Sequence, residues 1–108
     1  MAKNEKKVQT QIITDLDSFG RYCECFKIMK ASKNGEPDVF FTTRLTSGIL
    51  VECKKPDGDV RKLQEIKIAK LNACGTRTFL CHSWEEWCEI KNILGLTKEN
   101  VIRAHNME

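Results

Sequence analysis

Two short apolar runs joined by a tight polar turn constrain this chain more than any other feature. The first run begins at Asp38 and reaches about Thr43, and the second covers residues 49–54. Both are rich in Val, Ile, Leu and Phe, and a turn containing Gly48 separates them. Apolar runs of this length on either side of a short turn predict two buried β-strands that pair as a hairpin.

Charged residues stand where these predicted strands end. Glu52 and Lys54 are two residues apart, so their side chains face the same side of the second strand, and Asp38 can meet them across the hairpin. Gathering such charges in a protein interior is costly unless a cation offsets the repulsion between the carboxylates. Asp38 and Glu52 carry the hard oxygen ligands that Mg²⁺ or Mn²⁺ prefers, so the pattern predicts a site for such an ion.

Lys54 is a compact cation beside this predicted site. Its ammonium group could orient or activate an attacking water, or stabilise the charge of a pentavalent transition state, and the sequence leaves these roles open. Each residue also has a structural explanation, because Pro37-Asp38 is a frequent turn pair and an isolated Glu-x-Lys is commonly a solvated pair at a sheet edge. The presence of all three charges on one hairpin favours a functional site.

Length and composition indicate a single domain over residues 1–108. The chain has 108 residues, of which 41% are hydrophobic and 31% charged, as in soluble globular proteins. Its apolar stretches are far shorter than the roughly 20 residues that a membrane-spanning helix needs. The N-terminus is charged and no apolar signal-peptide segment follows it, so we expect a cytoplasmic protein.

Six cysteines raise the alternatives of disulfides or zinc. They form no CxxC pair, and His82 and His105 stand at no zinc-ligand spacing from them. We therefore expect free thiols in a reducing compartment. The residues are Cys23, Cys25, Cys53, Cys74, Cys81 and Cys88.

Hydrophobic periodicity around the hairpin predicts an α/β fold. The order of elements is helix, three strands, helix, strand, helix, which indicates a mixed sheet flanked by helices. Ser83 and Glu86 suit a capping box at the start of the third helix. Trp84 and Trp87 on that helix could stack on bases, but their spacing favours the core. The predicted elements are a helix over residues 5–19, strands over 21–29, 38–43 and 49–54, a helix capped by Asp59 that ends near 74–75, a strand over 76–81, the helix after Ser83, and a polar tail over 95–108.

These motifs resemble a known nuclease signature. Pro37 and Asp38, followed by the Glu-x-Lys of Glu52 and Lys54, are similar to the PD-(D/E)XK pattern. More narrowly, the chain resembles the VRR-NUC family over about residues 5–90. The other family marks follow in register and are Glu5, Gln9, Gly35, Pro56, Gln64, Ser83, Glu85 and Glu86.

The resemblance implies a restriction-endonuclease-like fold and assigns further roles at the site. The backbone carbonyl of Cys53 would be an additional metal ligand, and Glu5 on the first helix would approach the metal. Gln64 would help to position Lys54, the water or the phosphate. Gln9 matches the other helix-one position of the family.

Basic residues cluster around the predicted site, although the formal net charge is only +3. Such side chains contact phosphates without distinguishing bases, so we expect selectivity for the shape of DNA. The candidates for DNA binding are Lys27, Lys30, Lys33, Lys55, Arg61 and Lys62.

Stand-alone domains of this size in the resembled family come largely from phages and bacteria and are similar to Holliday-junction resolvases that act as symmetric dimers. The resemblance therefore implies a Mg²⁺- or Mn²⁺-dependent, structure-selective DNA endonuclease that cuts branched DNA as a homodimer in a bacterial or phage-infected cell. A two-fold protein suits the paired incisions that a four-way junction needs. Two alternatives stay open: a nickase or flap nuclease with the same site, and a non-catalytic DNA-binding module that kept the fold.

Overall fold

A four-stranded mixed sheet forms the centre of the molecule, with helices on both of its faces. The computed structural model describes residues 3–29, 37–54 and 61–107, with the backbone alone for residues 3–5. A single 3₁₀ turn, Gly20–Tyr22, precedes the first strand. The elements are α1 (Lys3–Asp17), β1 (Cys23–Lys27), β2 (Val39–Thr43), β3 (Ile49–Cys53), α2 (Lys62–Ala73), β4 (Thr78–Cys81), α3 (Trp84–Leu94) and α4 (Lys98–Asn106).

The sheet confirms the predicted hairpin and the predicted mixed α/β fold. Its strand order is β1-β2-β3-β4, in which β1, β2 and β3 are antiparallel neighbours and β4 is parallel to β3. Val39 pairs with Val51 in the hairpin. The turn closes at Gly48, whose φ of +54° favours glycine. The helix α2 makes the crossover that two parallel strands require.

Alternation along the strands separates an inner face from an outer face of the sheet. Val39, Phe41, Ile49 and Val51 are buried on the inner face. The rings of Phe41 and Trp87 meet edge to face with 5.7 Å between their centroids, so α3 packs on this side. The inner face therefore holds the hydrophobic core.

The helix α1 covers the same face through apolar residues at helical spacing. Val8, Ile12 and Leu16 are buried there. A polar contact ties α1 to α3, because the indole N–H of Trp87 donates to Asp15 Oδ2 over 2.8 Å. The Lys91 ammonium lies 2.8 Å from the same oxygen.

The outer face carries Phe40, Leu50 and Glu52 and is partly covered by α2. Near the end of that helix, the Asn72 side chain donates to the Thr78 carbonyl and accepts from the Thr78 amide, each over 3.1 Å. These two bonds fix α2 against β4. Polar side chains of α2, such as that of Asn72, thus contact the sheet on its outer face.

The predicted polar tail is wrong, because residues 98–106 form the helix α4. Gly95 ends α3 in the left-handed conformation, and the Thr97 hydroxyl caps α4 by accepting from the Asn100 amide over 3.1 Å. Val101 is completely buried. The buried Val101 and the side-chain cap hold this polar helix in place.

Other boundaries shift by a few residues. The second helix begins at Lys62, whereas its predicted cap, Asp59, lies outside the described residues. At α3 the Ser83 hydroxyl accepts from the Glu86 amide as predicted, but the Glu86 carboxylate accepts from the backbone of His82 and not from that of Ser83. All six cysteines are free thiols, as predicted. Among the helices described here, none is long and apolar enough to cross a bilayer.

Candidate active site

The hairpin register brings Asp38 and Glu52 side by side. Val39 pairs with Val51, and just beyond this pair the Asp38 amide donates to the Val51 carbonyl over 2.9 Å, so Asp38 lies next to Val51 and Glu52 at the end of the hairpin. Asp38 and Glu52 are both buried, with 3% and 2% of their surface exposed. One carboxylate oxygen of Asp38 accepts from the Cys53 amide over 2.7 Å, which fixes the orientation of this side chain.

Lys54 lies next to this pair at the end of β3. Its Nζ is 3.8 Å from Glu52 Oε2, and its side chain is buried. The Lys54 amide donates to the Cys81 carbonyl over 2.9 Å, so the backbone here is tied to β4. In this poorly solvated setting the ammonium group partly balances two carboxylates.

Gln64 reaches the same carboxylate from α2. Its Nε2 donates to Glu52 Oε2 over 3.0 Å, and its Oε1 accepts from the Arg61 amide over 3.3 Å. Only 2% of its surface is exposed, whereas the neighbouring Leu63 and Ile66 are each 47% exposed. The helix α2 therefore turns Gln64, and neither of these two apolar residues, toward Glu52.

The donor set fits a hard cation better than zinc. The described ranges hold no cluster of three or more His, Cys, Asp and Glu residues of the kind that binds a metal through side chains alone. Two carboxylates facing one way, supplemented by a backbone carbonyl, are typical of a site in which water and substrate oxygens complete the coordination of Mg²⁺ or Mn²⁺. The Cys53 side chain is buried on the inner face, so only its carbonyl is available as a ligand.

Comparison with known proteins identifies the family of the chain. The family model described as the VRR-NUC domain matches residues 4–85 of the chain. The chain belongs to the VRR-NUC family. A solved structure titled "VRR_NUC domain" shares the fold, with a TM-score of 0.72 and 17% sequence identity over 84% of this chain and 97% of that chain. Among proteins with curated descriptions, none matches significantly.

Several predicted residues of this VRR-NUC domain lie apart from the four that meet at the site. Lys27, Arg61 and Lys62 are exposed, the first at the end of β1 and the others at the start of α2. Gln9 is buried in α1. Glu5 belongs to α1, but its side chain lies outside the described residues, as do Lys30, Lys33 and Lys55.

Sequence reasoning gave His82 no role, and the structure places its backbone next to that of Lys54 while its ring is held by Glu86 on α3. Cys53 pairs with Cys81, so Lys54 and His82 are the next neighbours along β3 and β4. The His82 ring lies 3.0 Å from the Glu86 carboxylate, which also accepts from the His82 amide over 2.8 Å. Burial would raise the pKa of Glu86, but these hydrogen bonds outweigh it and hold the pKa below its ordinary value. The sequence could have placed His82 next to Lys54 only if the parallel pairing of β3 and β4 had been known.

The two tryptophans of the VRR-NUC domain have different surroundings. Trp87 is buried in the core as predicted, whereas the core prediction is wrong for Trp84, which is 38% exposed. The Lys91 ammonium lies 5.2 Å from the centroid of the Trp84 ring. This ring borders a cavity of about 500 Å³ along α1. The cavity lies on the side of α1 and α3, away from the outer face that carries the carboxylates.

Proposed function

We propose that this VRR-NUC domain is a Mg²⁺- or Mn²⁺-dependent endonuclease that hydrolyses phosphodiester bonds in branched DNA such as Holliday junctions. The observation that carries the proposal is the contact of the buried Lys54 and Gln64 side chains with the buried Glu52 carboxylate, next to the buried Asp38 carboxylate that accepts from the Cys53 amide. Charged groups are rarely buried unless they are paired or bind a ligand, and carboxylate oxygens are the ligands that Mg²⁺ and Mn²⁺ prefer.

Asp38, Glu52 and the Cys53 carbonyl would hold the cation, with Glu5 as a further candidate. When bound, the ion would supply Lewis-acid chemistry, which polarises the phosphate and lowers the pKa of a bound water. The hydrogen bond from the Cys53 amide keeps Asp38 in place before any ion arrives. The carboxylates therefore do not need to reorganise to bind it.

Lys54 would act on the oxygens of the reacting phosphate or on the attacking water. Its buried ammonium is a localised charge with three donors, so it can hold an anionic oxygen while it stays near Glu52. Gln64 occupies one hydrogen-bonding direction of Glu52 Oε2 and keeps that carboxylate from rotating. We assign Lys54 to catalysis and Gln64 to positioning.

Exposed cations supply contacts with the DNA backbone. Lys27 lies at the end of β1, and Arg61 and Lys62 lie at the start of α2, the helix that carries Gln64. We propose that these residues, together with Lys30, Lys33 and Lys55, neutralise phosphates and orient the substrate. Since such contacts carry no base information, recognition would depend on DNA shape.

We also propose that two copies of the chain act together. A four-way junction requires two incisions related by symmetry, and a two-fold dimer would present two equivalent sites to it. Light scattering of the protein alone and bound to a junction would measure the number of copies.

A substrate panel tests the proposed function. The protein would be incubated with a four-way junction, a flap, a nicked duplex and a linear duplex of matched sequence, with Mn²⁺, Mg²⁺ or EDTA. We expect paired cuts in the junction that need a divalent ion and are lost in Glu52→Gln, while Glu89→Gln on the exposed surface of α3 cuts normally. Preferential cutting of the flap or nicked duplex would replace the junction as substrate, and cleavage equal in wild type and Glu52→Gln would refute the site.

A further inference from the structure

A stacked aromatic pair lies on the outer face of the sheet, on the strands next to the carboxylates. Phe26 pairs with Phe40 across β1 and β2, and Phe40 pairs with Leu50 across β2 and β3. The two rings are 5.0 Å apart between centroids and inclined by 30°. Phe26 is 52% exposed and Phe40 is half-buried, so the pair presents an accessible apolar surface.

This pair adjoins the candidate active site along the strand direction. Asp38 directly precedes β2, two residues before Phe40, and Glu52 follows Leu50 by two residues on the outer face of β3. Two residues of a strand span roughly 7 Å. Each strand thus carries the aromatic or apolar residue immediately beside a catalytic carboxylate.

We propose that Phe26 and Phe40 form a stacking platform for an unpaired nucleobase next to the scissile phosphate. The inference rests on the proposed nuclease function and deepens it, because it names DNA with unpaired nucleotides at the cut as the substrate class. Aromatic side chains stack on the flat face of any base, so the platform would select strand separation without selecting sequence. Branch points and flaps supply such bases.

The dimensions of the apolar surface favour a base over a second copy of the protein. Along the strands it is bounded by polar neighbours, with Glu24 and Thr42 on one side and the two carboxylates on the other. Across the sheet the apolar surface extends over three strands, β1, β2 and β3, which are spaced about 4.8 Å apart. A stable protein interface buries about 800 Å² on each partner, whereas this surface matches the size of one or two bases.

The charges along the outer face suit a nucleotide whose phosphate faces the candidate active site. Lys54 lies beside the carboxylates, and Glu24 is exposed at the opposite end of the platform. Glu24 would repel a phosphate at its own end, whereas Lys54 and the proposed cation would attract one at the other end, which is the side of the scissile bond.

Binding of fluorescent DNA without metal tests the platform separately from cleavage. The probe is a DNA duplex with a single-stranded overhang that carries 2-aminopurine at its first unpaired position, and the reference is a fully paired duplex of the same length. With wild-type protein in EDTA we expect the 2-aminopurine fluorescence to be quenched by stacking. Phe26→Ala should weaken binding of the overhang probe by about 5- to 150-fold, since stacking is worth about 1–3 kcal/mol per base.

Matched variants keep the test specific. Phe26→Trp should retain binding and quenching, and Ile93→Ala, which removes an apolar side chain that is 70% exposed on α3, should change neither. Circular dichroism checks that each variant folds, and if Phe26→Ala does not fold, the Phe26→Trp and Phe26→Gln pair gives the same comparison.

Three outcomes would overturn the platform: no quenching with wild type, an equal loss of affinity for the paired and overhang probes in Phe26→Ala, or a change of that variant from dimer to monomer in light scattering. The last result would assign the surface to a second copy. Quenching that depends on Phe26 in a protein that cuts no substrate would instead support the platform and refute the nuclease. Cutting of DNA without quenching of the 2-aminopurine fluorescence would support the nuclease and refute the platform.

Discussion

Gln64 on α2 donates a hydrogen bond to Glu52 on β3, with 3.0 Å between Nε2 and Oε2. The accepting oxygen is also the one that lies 3.8 Å from the Lys54 ammonium. A helix on the outer face and the end of a strand are thereby joined through one carboxylate. The position of the crossover helix is thus coupled to the geometry of the candidate metal site.

Loss of the Gln64 side chain should lower activity more than stability. Gln64→Ala removes one hydrogen bond that orients Glu52, and outer partners of metal ligands are commonly worth about 10- to 100-fold in activity or metal affinity. Single-turnover cleavage at several Mn²⁺ concentrations would measure the effect. The control is Glu65→Ala at the next, exposed position of α2, and an equal effect of both changes would contradict the positioning role.

Binding of a divalent ion should stabilise the folded protein through its two buried acids. An ion that binds the native state at about 100 times its dissociation constant adds about 2.7 kcal/mol to the free energy of unfolding. We expect Mn²⁺ to raise the melting temperature of wild type by several degrees and to leave Glu52→Gln unchanged. Differential scanning fluorimetry with Mn²⁺ and with EDTA measures this, and equal shifts in both proteins would point to another ion site.

Removal of the Asp15 carboxylate should destabilise the packing of α1 on α3. Asp15→Ala leaves the Trp87 indole N–H and the Lys91 ammonium without their shared acceptor. An unsatisfied buried donor costs about 1–3 kcal/mol, so the urea midpoint should fall accordingly. Glu89→Ala on the exposed surface of α3 serves as the control, and equal midpoints for the two variants would show that this contact is weak.

Cysteine alkylation should follow burial. Burial raises the pKa of Cys81 to about 11, and burial together with the hydrogen bond to Asp17 raises the pKa of Cys25 to about 12. A raised pKa leaves less thiolate at neutral pH, and the thiolate is the reactive form. Mass spectrometry after brief iodoacetamide treatment should find the exposed Cys74 and Cys88 modified first. Equal alkylation rates at Cys81 and Cys74 under native conditions would show that the C-terminal end of β4 opens readily.

The sheet around the site was predictable because its signals are local. Alternation along β2 and β3 and a glycine turn between them set the hairpin, and the period of two then puts Glu52 and Lys54 on one face. The proximity of Asp38 to Glu52 follows from the register of the hairpin. The charged residues at the strand ends could therefore be identified as a candidate site without knowledge of contacts between distant parts of the chain.

The rest depended on contacts between elements distant in sequence. Gln64 is buried because α2 lies on β3 and β4, whereas its helical period alone favours Leu63 and Ile66 for the core. His82 gains its place beside Lys54 only from parallel pairing. The helix α4 has few apolar residues, so the hydrophobic pattern did not indicate that this segment is helical.

The cleavage rate of a four-way junction as a function of Mn²⁺ concentration tests the central claim most directly. In the proposed mechanism Asp38 and Glu52 share one hard cation beside Lys54, and these residues together with the ion cut the phosphodiester bond. We expect no cleavage in EDTA, saturable activation of wild type by Mn²⁺, and losses of more than about 100-fold in Asp38→Asn and in Lys54→Met, because several kcal/mol of transition-state stabilisation disappear. Cleavage that persists in EDTA, or that is equally fast in Asp38→Asn and wild type, would contradict the claim.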